Sequence, residues 1–165
     1  MAKDSSFDVV STVDMQEVDN AYQQTARELT QRYDLKGSGA TIELSKGDGT
    51  ITVNAPADFV AKQVIDVLNG RLVKRKVDLK SVSWDAPQAA SGSSVRVVGH
   101  IVQGIDKECA KKISKDIRDL KLKVKASVDD DKLRVTSASK DALQQVISFL
   151  RDQDYGIPLQ FTNYR

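Results

Sequence analysis

Lys123, Lys125, Lys132 and Arg134 recur at two-residue intervals within LKVKASVDDDKLRVTS, residues 122–137. Val124, Ala126, Val128, Leu133 and Val135 fall between them. An extended strand sends alternate side chains to opposite faces. The apolar set is therefore expected to turn toward a core, and the four cations to share the opposite face of a hairpin. Cations on adjacent strands lie roughly 5 to 8 Å apart. Like charges that close repel, and an arriving phosphate relieves the repulsion. Arg134 is the strongest single candidate, because a guanidinium makes paired hydrogen bonds to a phosphate or a guanine edge. The plain alternative is a set of solvated lysines that keeps an open sheet face soluble. Arg71, Lys74 and Arg75 form a second cluster at the expected end of a helix. Cations there are also favoured by the helix dipole, by ~0.3–1 kcal/mol, so a structural role competes with binding.

Few other residues offer reaction chemistry. His100 is the single histidine and Cys109 the single cysteine, so neither a histidine triad nor a cysteine-based metal site is expected. Cys109 falls at a core-facing helical position and reads as a small buried hydrophobe. The stretches GSG (37–39) and GDG (47–49) precede strands, whereas a phosphate-cradling loop feeds a helix N-terminus. They read as turns. Trp84 ends a strand and reads as a packing anchor. No catalytic residue, metal or cofactor is expected.

The elements that position these residues follow from periodicity. SFDVV, residues 6–10, is a short β-rich run; Asp14 then opens DMQE, a carboxylate version of a capping box, and residues 15–33 carry apolar side chains at helical spacing. ATIELS, KGDG and TITVNA spell a hairpin. A second helix covers 57–74 and a strand 79–84. DAPQAASGSS, residues 85–94, is small and polar and reads as a linker. The order then repeats: strand VRVVGHIV, a helix after Asp106, the cationic hairpin, a helix at 140–152, and strand LQFTNY. QVIDVL (63–68) and QVISFL (145–150) share four letters at an offset of 82, which also aligns Ile51 with Leu133 and Val53 with Val135. The expected fold is thus α+β, a tandem of two ferredoxin-like β-α-β-β-α-β units, residues 1–84 and 95–165, joined by 85–94.

Charge is uneven along the chain although the net charge is only +2. Residues 1–35 carry seven acids and three bases, and residues 107–125 carry eight bases and three acids. The second half is the expected anion binder. Without an apolar run of membrane-spanning length or a signal segment, a cytoplasmic location and no membrane partner are expected.

SFDVVS, VDMQEVDNA, RYDLKGSGATIEL, LVKR, GIDKECAKKI, KLKV and the final GIPLQFTNYR resemble the bacterial YajQ family, in order and over nearly the whole chain. Leu35 and Tyr164 stand where members often have Phe. The resemblance implies a tandem of ferredoxin-like, RNP-like domains whose first strands, 6–10 and 95–102, are exchanged. Periodicity by itself carries no sign of that exchange. It also implies nucleotide binding without enzymatic activity. Some members are described as cyclic di-GMP receptors and others are linked to RNA.

RLVKR (71–75) has the Arg-x-x-x-Arg spacing of one class of cyclic di-GMP receptor, and RDQD (151–154) the Arg-x-x-Asp spacing of another. With nine Arg and 19 Asp in 165 residues, about one Arg-x-x-Asp arises by chance. The leading expectation is a non-enzymatic binder of a nucleotide (cyclic di-GMP, ATP or GTP) that acts through a protein effector such as a transcription regulator. The runner-up binds tRNA or single-stranded RNA through backbone electrostatics. Base stacking on the sheet is disfavoured, since TITVNA and KLRVTS contain no aromatic residue. A third reading is a protein-interaction scaffold.

Overall fold

The computed structural model of the chain describes residues 4–165. Its elements run β1 (Ser5–Val10), α1 (Met15–Gln31), β2 (Thr41–Ser45), β3 (Thr50–Ala55), α2 (Asp58–Lys74), a 3-10 turn (Leu79–Ser81), β4 (Val82–Trp84), β5 (Gln88–Ala89), a second 3-10 turn (Ser91–Ser93), β6 (Val95–Ile101), α3 (Lys107–Asp119), β7 (Lys125–Asp129), β8 (Lys132–Ser137), α4 (Lys140–Arg151) and β9 (Gln160–Thr162). This is a mixed α+β architecture with antiparallel sheets. Three helix starts have side-chain caps, each typically worth ~1 kcal/mol. Asp14 accepts from the Gln16 and Glu17 amides, Asp106 from Cys109, and Ser139 from Ala142.

The strands assemble out of sequence order. One sheet runs β7-β8-β1-β9, and the other β2-β3-β6-β4 with β5 also paired to β6. β1 therefore lies between strands from the far end of the chain, with Phe7 opposite Val135 and Val9 opposite Leu133 and Phe161. β6 likewise sits between β3 and β4, with Val97 opposite Val53 and Gly99 opposite Ile51 and Trp84. Two compact units result. One holds the segment through Thr12 together with Gln103–Arg165, and the other is Val13–Val102.

Each unit has its own core. In Val13–Val102, α1 contributes Val18, Ala21 and Leu29, and α2 contributes Val60, Val64, Leu68 and Leu72; all pack with Ile51, Val53 and Val97 of the sheet. In the other unit Phe7 and Val9 pack with Leu133 and Val135, under Ile113 and Ile117 of α3 and Val146, Ile147 and Leu150 of α4. Val64 and Val146, equivalent in the two QVI stretches, are both fully buried. Burying such a side chain contributes roughly 1.5–3 kcal/mol.

Residues 85–94 are not a free linker. Asp85 donates its amide to Val98, and Gln88 and Ala89 pair with Arg96 and Val95. The Ala90 amide then closes on Ser94, so the segment is the return arm of a hairpin with β6. Its small polar composition reflects an exposed edge and a turn, which composition does not separate from a linker. The chain passes between units near residues 12 and 102, not at 85–94.

Val128, expected to face the core, is 52% exposed. β7 is an edge strand, and a groove lined by Lys111, Ser114, Arg118, Ala126 and Val128 stays open beside it.

Candidate functional site

The cationic hairpin forms one end of the β7-β8-β1-β9 sheet. Leu133 and Val135 of β8 are fully buried, which leaves Lys132 and Arg134 on the open face. Register separates the cations more than simple alternation suggests. Arg134 lies opposite Ser127, Lys132 opposite Asp129, and Lys125 opposite Thr136. Lys123 precedes the strand, where its carbonyl accepts from the Ser137 hydroxyl at 2.7 Å. Lys123 and Lys125 are exposed; Lys132 and Arg134 are half-buried.

The feature missed from the sequence is Asp8. β1 brings it beside Arg134 across the ladder, on the open face. Its carboxylate is nearly buried, and its partners explain why that is tolerated. Arg134 donates from Nε to Oδ1 at 3.1 Å, Asn163 donates from Nδ2 to Oδ2 at 2.9 Å, and the Lys132 ammonium stands 3.7 Å from Oδ2. Burial pushes the Asp8 pKa up, but these two hydrogen bonds and the two positive charges outweigh it and hold the carboxyl below its ordinary value. The face is therefore not four repelling cations. Each of Lys132 and Arg134 has a carboxylate neighbour, and Arg134 is tethered through Nε instead of a terminal nitrogen. The available signal was indirect: Asp8 lies between inward Phe7 and Val9, so alternation turns it outward, and the pairing of β1 with β8 then sets it against Arg134.

In the other sheet β6 lies between β3 and β4. β6 places Arg96 opposite Asn54 and His100 opposite Thr50. Arg96 donates to Asn54 at 3.2 Å, and His100 pairs with Asp85 at 2.8 Å.

The second cationic cluster is engaged within its own unit. Arg71 pairs with Glu28 of α1. Arg75 reaches Glu17 at 3.3 Å and Gln24 at 3.2 Å. These pairs fasten α2 to α1 and engage both guanidinium groups. Lys74 lines a shallow pocket that also contains Glu28 and Asp66, an arrangement of mixed charge. In the RDQD stretch, Arg151 stands 5.6 Å from the centre of the Phe161 ring, and Asp154 accepts from the Gly156 amide at 2.9 Å.

The remaining sequence candidates have structural surroundings. Cys109 is half-buried against the α3 core, and burial followed by nearby Asp106 pushes its thiol pKa up. Trp84 packs against Gly99, where an added Cβ would come within 2.8 Å of the indole. Among the described residues no cluster of His, Cys, Asp and Glu is placed to hold a metal ion, and no helix is long and apolar enough to cross a membrane. A pocket of about 280 Å³ opens beside α4 and Tyr164, on the helix side of β1.

A family model described as Nucleotide-binding protein YajQ-like matches residues 5–165. A relative named Nucleotide-binding protein from Chloroherpeton thalassium is 46% identical over 165 residues, covering all of both chains. One of the same name from Desulfitobacterium hafniense is 49% identical, again over the full length of both. One from Nocardia farcinica is 50% identical over 163 residues, 98% of this chain and 99% of the relative. With a family match spanning almost every residue and full-length relatives at this identity, the chain belongs to the YajQ-like nucleotide-binding protein family.

Proposed function

We propose that this chain binds a nucleotide without transforming it, and that the phosphates meet the open face of the β7-β8-β1-β9 sheet at Arg134, assisted by Lys132, Lys125 and Lys123. One observation carries the reading. Arg134 is held by a nearly buried carboxylate through Nε, an anchor that pre-orients the guanidinium and lowers the cost of ordering it on a ligand. Arg71 and Arg75, by contrast, are committed to α1. Cyclic di-GMP is the leading ligand, with ATP and GTP as alternatives and a protein effector downstream. The two sheets are read as two copies of one ferredoxin-like unit, which the common 82-residue offset supports.

Calorimetric titration with cyclic di-GMP, ATP, GTP and tRNA at two salt concentrations tests the proposal. Arg134→Ala weakens nucleotide binding at least about tenfold, roughly 1.4 kcal/mol, with the fold intact. Lys123→Ala with Lys125→Ala flattens the salt dependence. Parent-like binding by these variants, with loss in Arg75→Ala, refutes the assignment. The exposed cations of α3 favour RNA-backbone binding as the second reading, and a steep salt slope with tRNA would select it, since RNA offers many phosphates and a dinucleotide two. Incubation with each nucleotide leaves it unchanged; hydrolysis that tracks the protein through purification would overturn the non-enzymatic reading.

A further inference from the structure

β1 has a second use on its other face. Asn163 adopts a left-handed conformation, φ 57°, and the pairing register changes by one residue across it. Asp8 lies opposite Thr162, yet Ser6 exchanges both backbone hydrogen bonds with Arg165, at 2.9 and 3.1 Å. Asn163 is thus the extra residue of a β-bulge. Unbroken alternation from Phe161 would send Tyr164 to the open face beside Thr162. The bulge brings it to the helix side, where its ring centre lies 6.3 Å from that of Phe7, itself 6.0 Å from Phe161. The same asparagine hydrogen-bonds Asp8, so one residue supports features on both faces.

Tyr164 remains 59% exposed despite these contacts. It borders the pocket of about 280 Å³, whose floor is Phe7, Leu143 and Ile147, all buried, and whose lining includes exposed Lys140 and Gln144, one turn apart on α4. An apolar floor, an open aromatic face, one amide and two cations, Lys140 and the exposed Arg165, are the parts of a site for a flat heterocycle carrying a negative charge.

We propose that this pocket holds the purine base of a phosphorylated nucleotide, with the base stacked on Tyr164, its edge on the Gln144 amide and its phosphate toward Lys140. Base stacking on an exposed aromatic ring tolerates any base, and the apolar floor favours the larger purine. The inference rests on the reading that the chain binds nucleotides, and it adds a second site. β1 is hydrogen-bonded on both sides, so the sheet is closed between Arg134 and Tyr164 and one nucleotide does not touch both.

The test is nuclear magnetic resonance of the full chain, with backbone amides and Leu and Ile methyl groups labelled, titrated with AMP, GMP and guanosine. AMP or GMP is expected to shift the Leu143 and Ile147 methyl signals. Tyr164→Ala weakens that binding about tenfold or more, while Tyr164→Phe keeps it. Lys140→Ala weakens GMP binding but not guanosine binding. Shifts confined to Lys132 and Arg134, with Leu143 and Ile147 unmoved, overturn the pocket and leave the open-face reading standing. No shift anywhere with any nucleotide overturns both.

Discussion

Replacing Asp8 with Asn removes one negative charge and keeps the shape. The Asp8 side chain is 4% exposed, and its carboxylate accepts two hydrogen bonds, from Arg134 and Asn163. The amide satisfies one donor through its oxygen and turns an NH2 toward the other. A hydrogen bond to a charged group contributes about 1.5–3 kcal/mol. The Arg134 side chain is 38% and that of Lys132 34% exposed, so both cations rehydrate and the loss stays near that range, ~1.5–3 kcal/mol. Trp84, the single tryptophan, belongs to the unit Val13–Val102, so its fluorescence is the wrong probe. Hydrogen exchange at the slowest amides of β1 and β8 reads the loss directly. The pH dependence follows from the lowered Asp8 pKa. The folded state prefers the ionised form, so the stabilisation is fully present above the ordinary carboxyl value of about 3.9. It fades as pH falls through the lower folded-state value. The gap between parent and Asp8→Asn is therefore constant near neutrality and closes in acid. A gap under about 0.5 kcal/mol at pH 7, where surface substitutions usually fall, refutes the reasoning. A gap that persists undiminished to strongly acidic pH refutes it as well.

Gly99→Ala drives a methyl group to within 2.8–2.9 Å of Trp84 and Val82, and destabilises its unit by about 1–3 kcal/mol; an unchanged urea midpoint by Trp84 fluorescence contradicts the packing argument. A fragment of residues 13–102 folds cooperatively, because it contains β6 and every strand that β6 joins. A fragment of 1–84 does not fold, since it lacks the strand between β3 and β4; dispersed amide spectra from 1–84 would reverse this. Arg75→Ala lowers stability by no more than about 1 kcal/mol, as expected for a partly exposed ion pair, and leaves nucleotide affinity at the parent value; a tenfold affinity loss moves the site to α2.

Helices, hairpins and their inward faces were legible from local pattern. The 3.6-residue spacing of Val60, Val64 and Leu68, and the two-residue spacing of Leu133 and Val135, state which side of each element avoids water, and all five are buried. Capping residues at 14, 106 and 139 marked helix starts through hydrogen bonds that span only a few residues. The spacing of Lys132 and Arg134 likewise sufficed to set them on one face. Strand partners were beyond such patterns, because an antiparallel ladder joins backbone groups of any sequence, and β1 fits any neighbour that shares its apolar alternation. The order β7-β8-β1-β9 set a buried carboxylate beside Arg134, and the pairing of β6 with β3 and β4 set Arg96 and His100 in the other sheet. The left-handed turn of Asn163 then decided which face Tyr164 occupies. Local sequence determined the faces of each element. Long-range pairing determined which charges and rings those faces bring together, because electrostatic and stacking energies depend on distances that no single element contains.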